Sequence, residues 1–105
     1  MIALKADELK KILEKIGYYV AYKSLKKQRA LPYIIFYHTG IDTYSADNIV
    51  YFKQNHYNIE LYTKEKNTVL EEKIEQILTD NEIFYNKSED IFIDSEDLME
   101  VIYYI

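Results

Sequence analysis

The sequence predicts an α+β fold: an antiparallel β-sheet flanked by two amphipathic helices, in the order α-β-β-β-β-α-β-β. Three observations lead there. Residues 6–16 and 68–79 each repeat apolar side chains at helical spacing along one stripe only, so each helix must lie on something. Strand-like runs follow one another with no helix between them, which favours antiparallel pairing. The chain also holds only 2 Gly and 1 Pro, each where elements should change, and shows no linker, repeat or low-complexity tract. Its 105 residues therefore form one domain, 1–105, around one core.

The elements follow in order. In residues 6–16, Leu9, Ile12, Leu13 and Ile16 make the stripe, Asp7 and Glu8 sit where the helix dipole favours negative charge, and Gly17 is the stop. Residues 18–23, rich in Tyr, read as a strand, and residues 24–30 (SLKKQRA) as a solvated basic loop. Residues 33–39 (YIIFYHT) are apolar on both faces up to His38, as expected inside a sheet. Residues 40–48 (GIDTYSADN) collect Gly, Asp, Ser and Asn, and are expected to form a loop.

Two short strands are expected over 49–53 and 56–63, turning at Gln54 and Asn55. In the second, Tyr57, Ile59 and Leu61 alternate with Asn58, Glu60 and Tyr62, the pattern of a strand with one dry face. The helix over 68–79 carries Leu70, Ile74, Ile77 and Leu78 on one stripe and Glu71, Glu72, Lys73, Glu75 and Gln76 elsewhere. Asn67 or Thr68 can cap it, and Thr68 with Glu71 has capping-box spacing. Residues 82–87, 91–93 and 97–105 read as further strands. A helix pair dries one sheet face, so the other, Tyr-bearing face must meet water or another subunit. With 12 Tyr, 4 Phe and no Trp, the core is built largely from Ile, Leu and Tyr.

Charge is distributed unevenly. Residues 1–29 hold eight of the 13 Lys and Arg and three of the 18 acids, giving +5; the remainder holds five basic and fifteen acidic side chains, giving −10. Phosphate contacts need Lys and Arg, so the acidic majority disfavours specific nucleic-acid binding. A two-ended subunit suits head-to-tail docking with copies of itself. The absence of Cys excludes disulfides and thiolate metal sites. No apolar run approaches the ~20 residues of a membrane helix, and Met1 to Leu13 lacks a signal peptide's apolar stretch, so a cytoplasmic protein is expected.

No catalytic constellation emerges. His38 and His56 do not form a zinc-binding array, Ser24, Ser45, Ser88 and Ser95 lack the glycine-flanked elbow of a hydrolase serine, and two glycines cannot build a phosphate-cradling loop. Glu89, Asp90, Asp94, Glu96, Asp97 and Glu100 could in principle hold Ca²⁺ or Mg²⁺, but the twelve-residue calcium loop is missing and solvated turns account for them. The expectation is a non-enzyme with no catalytic, cofactor or metal site.

From Leu31 onward, LPY (31–33), ADNIVYFK (46–53), NIELYTKEKN (58–67), LEEKIEQIL (70–78) and IFYNKSEDIFIDSEDLMEVIYYI (83–105) resemble, in order and spacing, a family of small tail-terminator or tail-completion proteins of phages and prophages of Gram-positive bacteria. No single motif is diagnostic, and residues 24–30 have no counterpart. The resemblance implies an α+β subunit that forms a ring, commonly a hexamer, on the last ring of the tail tube. Its partners would be itself, the major tail protein and a head-completion protein; its place would be the host cytoplasm during assembly and then the virion. Residues 40–48, with Gly40, Asp42, Tyr44, Asp47 and Asn48, are the candidate assembly loop, expected to act as a mobile arm toward the tube. The rival expectation is a small intracellular interaction module, antitoxin- or adaptor-like, without catalysis.

Overall fold

The computed structural model describes residues 4–105, with side chains at all of these except Val50 and Tyr51. Met1–Ala3, part of the segment read for a leader, lie outside the described residues. The fold class is as expected: two helices on one mostly antiparallel, open, six-stranded sheet. The elements are α1 (Ala6–Glu14), β1 (Tyr19–Tyr22), β2 (Tyr33–Ala46), β3 (Ile49–Thr63), α2 (Thr68–Asp80), β4 (Asn86–Lys87), β5 (Ile91–Ile93) and β6 (Leu98–Tyr104). The sheet runs β1-β2-β3-β6-β4, with β5 also on β6. Among the described residues only β1 and β2 pair in parallel.

Helix α1 ends at Glu14 rather than Ile16. The N–H groups of Lys15, Ile16 and Gly17 each reach back three residues, to Ile12, Leu13 and Glu14, tightening the last turn, and Gly17 then takes φ +96°, a conformation glycine adopts without strain. Helix α2 is capped by Asn67, whose side-chain oxygen accepts from the Leu70 N–H at 3.0 Å. This leaves Glu71 out of a capping box and frees it for another role. Residues 82–85, expected to be strand, run irregularly between α2 and the two residues of β4.

Both helices lie on the same face. Leu9 and Leu13 of α1 and Leu70, Ile74 and Leu78 of α2 close over Val20, Ile34, Phe36, Tyr57, Ile59, Leu61, Val101 and Tyr103. Register explains the layer: Phe36 lies opposite Ile59, and Leu61 opposite both Ile34 and Val101. The other face carries Tyr33, Ile35 and Tyr37 from β2, Asn58, Glu60 and Tyr62 from β3, and Glu100, Ile102 and Tyr104 from β6. No helix among the described residues covers it.

The largest departure from expectation concerns residues 40–48. They are not a loop: residues 40–46 continue β2, and only Asp47 and Asn48 form the turn. The strands expected over 49–53 and 56–63 are likewise one, β3, unbroken through Gln54 and Asn55. The turn needs two residues with positive φ, and Asp47 (52°) and Asn48 (63°) supply them, a type I′ hairpin closing Ala46 onto Ile49. Asp and Asn tolerate that conformation better than other side-chain-bearing residues.

Candidate assembly interface

β2 pairs with β1 only over Tyr33–Phe36, and β3 with β6 only over Asn58–Thr63. Residues 39–46 and 49–56 therefore have only each other and project as a two-stranded arm. At about 3.3 Å per residue the arm is about 26 Å long, which accounts for a molecule measuring 52 × 26 × 24 Å. Every residue from 42 to 49 is exposed. Ile41, Tyr44 and Ile49 stand 48%, 45% and 59% exposed, and Tyr44 stacks on Phe52 with ring centroids 4.4 Å apart. Both outer edges present unpaired backbone, and the charged or titrating side chains along the arm are few: Asp42, Asp47, Lys53 and, at its base, His56. Long unpaired edges with few charges template pairing with another chain.

The five sequence candidates are all in the arm but in different roles. Gly40 sits at its base, opposite His56, beside an irregularity in the register; Tyr44 is in the stacked pair; Asp47 and Asn48 make the tip. Asp42 anchors the base. Its carboxylate lies 2.7 Å from His56 Nε2, while His56 Nδ1 lies 2.8 Å from the Ile105 main-chain oxygen. Both ring nitrogens thus face oxygen acceptors, which favours the protonated ring. The Asp42 hydrogen bond, then that to Ile105, hold the His56 pKa above the usual imidazole value. On the opposite face Asn55 donates to the Leu4 carbonyl at 2.9 Å and meets His38 Nε2 at 3.0 Å. The arm is thereby fixed at its base and unsupported beyond it.

The open sheet face continues the aromatic character of the arm. Tyr33 and Tyr62 stack at 5.1 Å, and Glu60 accepts from Tyr37 at 3.0 Å and from Tyr62 at 2.8 Å. Burial, then hydrogen bonding to Glu100 and Glu60, raises the Tyr62 pKa, and burial is also the chief cause that raises Glu100. Lys23 lies over the Tyr37 ring at 4.5 Å and Arg29 over Tyr19 at 3.9 Å. Arg29 of the basic loop is thus seated on an aromatic ring, and Lys23 just before the loop on another.

The C-terminal carboxylates do not converge. Asp97 pairs with Lys64, Asp90 with Lys66, and Glu100 belongs to the open face. Among the described residues no group of three or more His, Asp or Glu side chains is placed to hold a metal ion, and no helix is long and apolar enough to cross a membrane. Sequence reasoning missed Glu71. Assigned to a solvent face of the helix, it is 2% exposed and holds Lys66 at 2.9 Å and Lys87 at 2.8 Å, pinning α2 to β4. The capping-box spacing masked this role. No protein-family model matches the chain, and no curated protein matches it.

Proposed function

We propose that this chain is a non-catalytic structural subunit of a long-tailed phage or prophage, which closes the head-proximal end of the tail tube as a ring and joins it to the head. The observation that carries the reading is the arm. About 26 Å of paired strand, with both edges open and Ile41, Tyr44 and Ile49 in solvent, has no structural use within its own subunit. It does have a use between subunits, where it can lie along a neighbour or reach the tube and complete its edges there. The resemblance of residues 31–105 to tail-terminator proteins supplies the specific assembly, and its partners are further copies, the major tail protein and a head-completion protein.

The test mixes the full chain with tubes polymerised from a major tail protein of a long-tailed phage of Gram-positive bacteria and images them in negative stain. The expected result is a ring on one tube end and shorter tubes. An I41S/Y44S/I49S variant should fold normally and leave tubes uncapped. If the chain instead forms only a fixed dimer, leaves tubes untouched, and behaves identically with the arm substituted, the interaction-module alternative takes its place.

A further inference from the structure

The sheet order turns the sequence's charge asymmetry into a spatial one. Helix α1, strand β1 and the loop after it contain the excess of Lys and Arg, and β1 is one edge of the sheet, with α1 packed against it. At the opposite edge lie β4 and β5, with Glu82, Glu89, Asp94 and Glu96 exposed around them. The pairing of charges sharpens the contrast. On β4, Lys87 is held by Glu71 and Glu75 of its own subunit, and Lys64 and Lys66, between β3 and α2, are held by Asp97 and by Glu71 and Asp90, respectively. None of Lys5, Lys10, Lys11, Lys15, Lys23, Lys26, Lys27 and Arg29 has an ion-pair partner among the described residues. One edge thus keeps its cations unneutralised, and the other carries surplus anions.

Each edge also exposes aromatic surface and an unpaired strand. Tyr18, Tyr19 and Tyr22 are 41%, 40% and 46% exposed at the basic edge; Phe84 and Phe92 are 81% and 52% exposed at the acidic one. A surface depression of about 500 Å³ is lined by Phe84 together with Thr79, Glu82, Ile83 and Tyr85. A phenylalanine four-fifths in water, lining a mostly apolar hollow with the Glu82 carboxylate at its side, has the composition of an interface core with a charged neighbour.

We propose that copies of this chain join edge to edge, the β1 edge with Lys26, Lys27 and Arg29 docking on the β4–β5 edge with Phe84 and Phe92 of the next copy. The proposal rests on the assembly-subunit reading and names the surfaces that join neighbours, leaving the arm for a different contact. The two patches differ, so the interface is heterologous and each subunit keeps one unused edge until a ring closes. Like edges repel, which disfavours symmetric dimers.

The test is sedimentation velocity and native mass spectrometry of the full chain across concentration at 50 and 500 mM salt, with two variants: K26E/K27E/R29E and E82K/E89K/E96K. Circular dichroism checks folding, which exposed charge changes should leave intact. The wild type should associate beyond a dimer, at least about tenfold more weakly at high salt. Each variant alone should stay monomeric, and their equimolar mixture should recover the wild-type species in 1:1 alternation, because each reversed edge now complements the other. F84S/F92S should weaken association at both salt levels. A wild type that is monomeric throughout, folded variants that associate as the wild type does, or a mixture that recovers nothing would each overturn the edge assignment. The arm variant separates the two readings: tube capping that survives failed edge association leaves the assembly reading standing, and edge association that survives without capping leaves only the self-association.

Discussion

β2 and β3 run through two regions that differ in everything except their pairing with each other. In the body, Ile34, Phe36, Ile59 and Leu61 are flanked by β1 and β6 and roofed by two helices. In the arm, the same two strands have neither flank nor roof. Body residues are held by packing, where each side chain is constrained by many neighbours; arm residues are held by cross-strand hydrogen bonds, one two-residue turn and the base contacts of Asp42, His56 and Asn55. Stability and assembly should therefore respond to substitution in different places, and the contrast can be tested directly.

The greatest stability loss is expected at Phe36, with no exposed surface to spare and Tyr22 and Tyr57 against its ring. Phe36→Ala should cost about 3–5 kcal/mol in urea unfolding. Glu71→Ala comes next, at about 1–3 kcal/mol, since it releases two ammonium groups that can partly turn to water. The network around it also carries a pH signature. Burial alone would raise the Glu75 pKa, but the Lys87 and Tyr103 hydrogen bonds outweigh it and hold the carboxyl below its ordinary value. Its contribution is present above the unfolded carboxylate pKa and is lost as pH falls through the folded one, so α2 should loosen as acid titration passes below the ordinary carboxylate range, an effect absent from Glu75→Gln.

Arm substitutions should act locally. Asn48→Val forces a β-branched residue into positive φ at a cost of about 1–2 kcal/mol, which should appear as faster amide exchange over residues 41–54 with little change in the global midpoint. A drop in global stability as large as that at Phe36 would mean that arm and body unfold together. The smallest effect is expected from pH at the arm base. The folded His56 pKa is raised, so its contribution is complete below the ordinary imidazole range and fades as pH rises through the folded value. Exchange at the base should quicken over that interval and lose its pH dependence in His56→Gln.

The body was legible in the sequence because burial writes a period into it. The alternation of Tyr57, Ile59 and Leu61 and the stripe of Leu70, Ile74 and Leu78 each mark the side that meets the core. The arm has no such side. A ribbon solvated all round has no need of alternation, so Gly40, Asp42, Ser45, Asp47 and Asn48 carry the composition of a loop while adopting strand and turn. The usable signal was Asp47-Asn48 set between Thr43-Tyr44 and Ile49 to Phe52, turn-formers between strand-formers. The charge asymmetry was equally plain in composition, but its meaning depended on sheet order, which places the earliest and latest elements at opposite edges. Glu71 could not be found from sequence, because its burial depends on two lysines brought to it from either side of α2.

The position of β6 has a consequence for how the molecule is made. It is synthesised after every other element here, yet it lies inside the sheet, with β3 on one side and β4 and β5 on the other. The β2–β3 hairpin, local in sequence, can form as soon as it leaves the ribosome, but β4 and β5 have no strand to join until residues 98–104 emerge. A nascent or prematurely terminated chain thus displays the inner edge of β3 to its surroundings. Nonsense changes before Leu98 should yield aggregates, and translation slowing over the last strand should lengthen the nascent chain's exposure to chaperones.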